Sequence, residues 1–301
     1  MPFKKILVAL DGSENSQIAS DYAFALARSL DAKLVGQHVV DPRIVDLFLE
    51  PGFANELGFA QTTEASGKVF SALRKIGKVI LNLFEDEAKN HELKVKVSLN
   101  EGNIVAEILR YSRDFDLLVM GHRGKHQNLL PGQIVLGSVA ERVILGTDVP
   151  VLITVQPLSQ IKQILVAYDG SESARGALLM AEQLAKETDR KFKAILVAPS
   201  TDTQSTMNAL ADDGRSYLRE KWKEEVFVIK HGPAAGTITE YAQSMHSLLV
   251  VGSYGFRDPE DNVLGTTTTK IIRETQTSVL IYKHTAKRNR KKDNELATST
   301  F

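Results

Sequence analysis

Two glycine-bearing stretches hold the residue types and spacings best suited to chemistry. Gly252-x-x-Gly255 follows the apolar run Ser247 to Val251, and after nine further residues Gly265-Thr266 opens a helix-like segment, residues 267–274. Glycines so spaced let the backbone turn and approach a ligand without interference from a Cβ, and the free amides of a helix start attract anions. An earlier copy runs Gly121-x-x-Gly124 after the apolar stretch Asp116 to Met120, with twelve residues before Gly137-Ser138. The earlier loop is basic through Arg123 and Lys125. The later one sets Asp258, Glu260 and Asp261 against Arg257. The chemistry this arrangement suggests is phosphate binding.

Further polar groups fall at the ends of other apolar runs. Asp11-Gly12-Ser13 closes the run Phe3 to Leu10, Val40-Asp41 closes Asp31 to Val40, and Asp169-Gly170-Ser171 closes Ile161 to Tyr168. Asp11 and Asp169 could contact a ligand or simply bind loop amides and cap the next helix. His38 sits in a strand pattern and reads as a packed side chain, while His122 and His126 read as surface histidines of the loop. No catalytic set emerges. Neither loop ends in the Gly-Lys-Ser/Thr of a P-loop. No Gly-x-Gly-x-x-Gly follows the first strand of either copy, and Gly137-Ser138 and Gly170-Ser171 lack the hydrolase elbow.

The elements that must position these groups alternate. Phe3 to Leu10 is a buried strand ending in a turn, and Ala19, Tyr22, Ala23, Leu26 and Leu30 form one face of the helix that follows. The chain returns as a strand to Val40, so strand, helix and strand make a right-handed crossover unit of a parallel sheet. Residues 43–63, with Phe48, Phe53 and Phe59 among glycines and a proline, read as a partly helical flap. A long helix over 64–89 is expected to turn Val69, Leu73, Ile76, Ile80 and Leu83 inward. Strands at Leu93 to Leu99, Asp116 to Met120 and Val149 to Val155 follow, with a helix over Ile104 to Arg113 and another from Ser138.

At Ile161 the pattern restarts. Residues 161–173 repeat residues 3–15 at an offset of 158, which is an internal duplication. The second copy is shorter, with Thr203 to Lys223 in place of flap and long helix. The expected domains are residues 1–156 and 157–285, followed by a disordered basic and polar tail at 286–301. Each should be an α/β, doubly wound, five-stranded parallel sheet of strand order 3-2-1-4-5, with its ligand crevice at the switch point between strands one and four.

Composition bounds the function. The 301 residues suit two domains. Lys plus Arg and Asp plus Glu both total 37, so no global field favours nucleic acid. The chain has no cysteine, which excludes disulfides and thiol catalysis. No apolar run approaches the roughly 18 residues of a membrane span. The expectation is a cytoplasmic protein that binds neither nucleic acid nor membrane.

Asp-Gly-Ser after strand one, with Gly-x2-Gly-x9-Gly-Ser/Thr after strand four, resembles the universal stress protein family, and the likeness covers both repeats. It implies an adenine-nucleotide alpha-hydrolase-like fold and, for members that bind ATP, an aspartate near ribose and adenine, an aliphatic residue against the base and a glycine loop around the phosphates. The corresponding residues are Asp11, Val40, Gly121, Arg123, Gly124, Gly137 and Ser138 in the first copy. In the second they are Asp169, Gly252, Gly255, Gly265 and Thr266. The resemblance also implies last strands that pair across a dimer, here an intrachain pseudo-dimer, with homodimerisation through the flap as a further expectation.

The departures from the pattern weigh differently. A carboxylate roughly 8 Å from a phosphate charge costs about 0.5 kcal/mol in water and about 2 kcal/mol at an effective dielectric near 20. The three acids of the second loop oppose a helix-terminus attraction of about 1 kcal/mol, whereas three extra residues in the first loop cost little. The first copy is therefore favoured. The leading reading is an ATP-binding sensor or switch, with magnesium as an optional companion, acting through an unknown protein partner. The competing one is a nucleotide-free protein holding an apolar ligand or partner in flap and cleft, and slow ATP hydrolysis ranks third.

Overall fold

The computed structural model describes residues 3–48, 63–123, 136–199, 204–219, 222, 226–254 and 264–283. Gly124, Lys125, His126, Gly255, Arg257, Asp258, Glu260 and Asp261, flap residues 49–62 and the tail lie outside these. The chain divides into two compact units, one of Pro2–Thr147 with Leu152–Leu158, the other of Ser159–Phe301 with Asp148–Val151.

The first repeat runs β1 (Lys5–Ala9), α1 (Glu14–Leu30), β2 (Lys33–Val40), α2 (Arg43–Phe48), α3 (Thr63–Asn90), β3 (Val95–Glu101), α4 (Ile104–Ser112), β4 (Leu117–Gly121), α5 (Ser138–Gly146) and β5 (Val151–Thr154). Its strands order as β3-β2-β1-β4-β5. Pairing is parallel, with Ile6 opposite both Leu34 and Leu117. Ile6, Leu7, Val8, Leu117, Leu118 and Val119 are wholly buried, as strands covered on both faces require. Ser13 caps α1 by accepting the Ser16 amide hydrogen bond at 3.1 Å. All five residues of the expected inner face of α1 are buried.

The long helix seats differently from the expected pattern. α3 turns Gly77, Leu81, Phe84 and Ala88 inward, while Ile76 and Leu83 are exposed and Val69, Leu73 and Ile80 are half-buried. The cause is a glycine that apolar periodicity does not count. A Cβ at Gly77 would lie 2.7 Å from His38 Cδ2 and 2.8 Å from Leu99 Cδ1, so the helix rests on the sheet through its bare backbone there. Phe84 fills the space over Gly36, where a Cβ would be 2.7 Å from its ring, and stacks on Phe24 with centroids 5.0 Å apart. His38 is a packed side chain, its Nδ1 2.7 Å from the Leu10 carbonyl oxygen. β3 also begins two residues later than alternation alone suggested.

The second repeat runs β6 (Gln163–Ala167), α6 (Glu172–Glu187), β7 (Lys191–Ala198), α7 (Gln204–Tyr217), β8 (Phe227–His231), α8 (Ala234–Ser244), β9 (Ser247–Gly252), α9 (Thr266–Glu274) and β10 (Val279–Tyr282). The order β8-β7-β6-β9-β10 is again 3-2-1-4-5, and every pair is parallel. Within the Thr203 to Lys223 segment that replaces the flap and long helix, the described residues form α7. Trp222, the single tryptophan, packs edge-on against Phe192 at 5.7 Å.

Candidate functional site

Each repeat builds the same frame at the carboxyl ends of its strands. Asp11 Oδ1 accepts the Ser13 amide at 2.9 Å and Asp169 Oδ1 accepts the Ser171 amide at 3.0 Å. The glycines between adopt left-handed backbone, φ 75° at Gly12 and 81° at Gly170, which a side chain would strain. Ser171 caps α6 through the Ala174 amide at 3.2 Å. Both aspartates thus order their turns, and each uses one carboxylate oxygen to do so.

The first glycine of each loop permits a close approach. A Cβ at Gly121 would lie 2.8 Å from the Asn15 carbonyl carbon, and one at Gly252 would lie 2.9 Å from that of Ser173. The next residue is a backbone clamp. The His122 amide donates to the Thr154 carbonyl at 3.0 Å, and the His122 carbonyl accepts the Gly137 amide at 2.9 Å. Ser253 does the same between Tyr282 and Gly265, at 2.9 Å each. The clamp sets the start of α5 or α9 beside the end of β4 or β9. Gly137 and Gly265 occupy the N-cap positions and supply no side-chain cap, so the first-turn amides there are not satisfied by the N-cap residue. Ser138 and Thr266 are exposed on this opening. His122 corrects the surface-histidine expectation. It is 3 % exposed, because both of its backbone groups are held between strand and helix.

Thr268 and Tyr168 were not singled out from the sequence. Thr268 Oγ1 donates to the Gly252 carbonyl at 2.8 Å, a lock that Ala140 cannot provide at the matching position of the first repeat. Tyr168 stands where the first repeat has Leu10. Its hydroxyl donates to Asp213 Oδ2 at 2.6 Å, and burial first, then Asp213, push its pKa far up and keep the phenol protonated. The signal for both was the mismatch between aligned repeats.

The second repeat holds a cavity of about 600 Å³ at its switch point, within the range of about 300–1,000 Å³ usual for small-molecule sites. Ile195, Leu196, Val197, Met207 and Ile238 give it an apolar end. Asp169, Gly252, Gly265, Thr266, Thr267 and Thr268 line another part. Four of the five residues expected from this copy therefore meet on one cavity, and the fifth, Gly255, lies outside the described residues.

In the first repeat Asp11, Val40 and Gly121 lie at adjoining strand ends, Arg123 is half-buried just beyond β4, and Gly137 and Ser138 start α5. Val40 is buried, and its carbonyl accepts the Gly102 amide at 3.0 Å. Asp41 is committed to Arg43, accepting from its amide at 3.0 Å, its Nε at 2.9 Å and its Nη2 at 2.5 Å. Those side-chain hydrogen bonds hold its carboxyl below the usual range against the opposing effect of burial. Among the described residues no group of three or more His, Asp or Glu is placed to hold a metal ion, and no helix is long and apolar enough to cross a membrane.

Two doubly wound 3-2-1-4-5 sheets, each with an Asx-turned first loop and a glycine-clamped fourth loop, define a tandem α/β protein of the nucleotide-hydrolase-like class. The model of the universal stress protein family matches residues 2–155 and again 160–283, and the chain belongs to that family. Universal stress protein Slr1230 of Synechocystis is 25 % identical over 289 residues, covering 93 % of this chain and 100 % of that one. Universal stress protein MJ0531 of Methanocaldococcus jannaschii is 32 % identical over 158 residues, 52 % of this chain and 84 % of its own. The crystal structure of a universal stress protein from Archaeoglobus fulgidus shares the fold, with a TM-score of 0.68 at 20 % identity, covering 93 % of this chain and 98 % of that one.

Proposed function

We propose that the chain is an adenine-nucleotide-binding stress-response protein of the cytoplasm, acting as a switch through a protein partner and not as an efficient catalyst. The observation that carries this is the switch-point cavity of the second repeat. Its apolar end suits a purine, Asp169 keeps a carboxylate oxygen beyond its turn bond for a ribose hydroxyl, and the α9 amides with Thr266 and Thr267 suit phosphate. This shifts weight toward the second repeat, while the basic loop keeps the first as a candidate site of the same kind. ATP is the favoured nucleotide, and a magnesium ion would have to arrive with it. Among the described residues, Tyr168 is held protonated and Asp41 is occupied by Arg43.

Mass spectrometry of the denatured, freshly purified protein should release ATP or AMP, and titration with ATP, with and without magnesium, should saturate. Val197→Trp, which fills the cavity, and Asp169→Ala should each weaken binding at the second repeat, and Asp11→Ala should do so at the first. Absence of copurified nucleotide together with no binding in either titration would overturn the proposal. Binding lost in Asp11→Ala but unaffected by Val197→Trp would move the site to the first repeat.

A further inference from the structure

Helix α3 presents an apolar face that nothing among the described residues covers. Ile76, Val79 and Leu83 are 53 %, 56 % and 64 % exposed and fall on one stripe at spacings of three and four. They lie well away from the inward residues Gly77, Leu81, Phe84 and Ala88. Scattered exposed aliphatics are ordinary, but three in register on one helix form a seam.

Charge along the helix identifies what fits that seam. In sequence its first part carries Lys68, Arg74, Lys75 and Lys78 against Glu64, and its last part carries Glu85, Asp86 and Glu87 against Lys89. This is the reverse of what a helix prefers for itself, with acids near the N-terminus and bases near the C-terminus. Some of these charges are spent locally. Arg74 pairs with Glu101 at 3.0 Å, and Glu87 accepts from Gln17. Lys75 and Asp86 flank the apolar stripe on its same side, and among the described residues Asp86 pairs with Lys89 three residues on through an exposed contact, of a kind worth little.

The positions are self-complementary. Ile76 and Leu83 are centred on residues 79–80, and Lys75 and Asp86 on residues 80–81. Two copies of this helix laid antiparallel therefore bring Ile76 of each onto Leu83 of the other and, in the same register, Lys75 of each beside Asp86 of the other. A parallel pairing would leave Lys75 and Asp86 eleven residues, about 16 Å, apart along the seam and unmatched. We propose that α3 is a self-association surface, on which two copies of the chain pair their α3 helices antiparallel across a two-fold axis that passes beside Val79, near residue 80. One helix pair buries less than a standard interface, so the dimer is reversible with a Kd on the order of micromolar.

The chain contains no cysteine, so Val79→Cys carries a single thiol, and that thiol meets its own copy beside the axis. Mild oxidation of this variant should yield disulfide-linked dimer. Sedimentation velocity of the full chain over a concentration series should show reversible dimers. These should be lost in the double variant Val79→Glu, Leu83→Glu, with an unchanged circular dichroism spectrum, because both side chains are exposed. Lys75→Glu and Asp86→Lys should each weaken association about tenfold, and the combination should restore it. A chain that stays monomeric throughout, a dimer indifferent to Val79→Glu with Leu83→Glu, or a Val79→Cys chain that forms no disulfide dimer would each overturn the proposal. Loss of stability in the glutamate variant without any dimer in the wild type would assign the face to a segment of the same chain instead.

Discussion

The seating of α3 on Gly77 can be tested by one substitution made twice in the same helix. Among the described residues nothing lies within 4 Å of where a Cβ on Gly67 would stand, whereas at Gly77 that atom would be 2.7 Å from the His38 ring and 2.8 Å from Leu99. Gly→Ala in a helix interior gains about 0.5–1 kcal/mol from backbone propensity and reduced unfolded-state entropy. At Gly67 that gain should appear in full. At Gly77 the same gain is opposed by overpacking of about 1–3 kcal/mol. The His38 ring cannot easily turn aside, because its Nδ1 is tied to the Leu10 carbonyl. The two propensity gains cancel in the comparison, so Gly67→Ala should exceed Gly77→Ala in stability by about 1–3 kcal/mol. Urea unfolding followed by far-UV circular dichroism measures this difference. A Gly77→Ala protein as stable as Gly67→Ala would refute the glycine seat.

Other outcomes follow from the site. Thr268→Val keeps the shape but removes the hydrogen bond to the Gly252 carbonyl, and should cost about 1 kcal/mol in the transition that Trp222 reports. Asp41 has a depressed pKa through Arg43. Its stabilisation is therefore present above the unfolded carboxylate value of about 3.9 and is lost as pH falls through the folded value. Asp41→Asn should lower stability at neutral pH and flatten this acid limb in pH-dependent urea titrations. Lys283 is buried, and desolvation lowers its pKa to about 8. Between there and about 10.4 the unfolded chain binds more protons, so stability should rise with pH through that window. Lys283→Met should remove the rise and stabilise the protein at pH 7.

The sequence already contained the strand order, the duplication and the Asp-Gly-Ser turns, because each is set by short-range pattern. A run such as Ile6 to Val8 has to be buried on both faces, and Gly12 must turn where no other residue turns cheaply. The misreadings had a different source. The inward face of α3 depends on Gly77 meeting His38 and Leu99, contacts made across the sheet by a residue that hydropathy scores as nothing. The burial of His122 follows from backbone bonds to Thr154 and Gly137, and a polar side chain in a glycine loop gives no hint of them. The candidate cavity of the second repeat was foreshadowed by Asp169, Gly252 and Gly265. Its walls were not, since Met207, Leu210 and Ile238 come from helices whose rotation only packing decides.

Comparison of the repeats at matched positions shows where their functions can differ. The backbone devices are duplicated faithfully: the aspartate turn, the serine cap, the glycine approach and the two-bond clamp of His122 or Ser253. The side chains facing the crevice are not. Leu10 becomes Tyr168, Val40 becomes Ala198, Asp41 becomes Pro199 and Ala140 becomes Thr268. A frame held by the turn aspartates, the cap serines and main-chain hydrogen bonds tolerates such changes, because none of its bonds depends on them. Selection could therefore alter one crevice without unfolding it. The second crevice gains a tyrosine anchored on Asp213 and a threonine lock on the glycine loop, and it loses the Asp41 carboxylate. The first keeps that carboxylate neutralised by Arg43 and has the basic loop. Equal occupancy of both crevices by one ligand at one affinity would be hard to reconcile with these differences. On the proposed nucleotide-binding reading, titration should resolve two sites of unequal affinity, separable by Asp11→Ala and Asp169→Ala, because the walls diverge over a common frame.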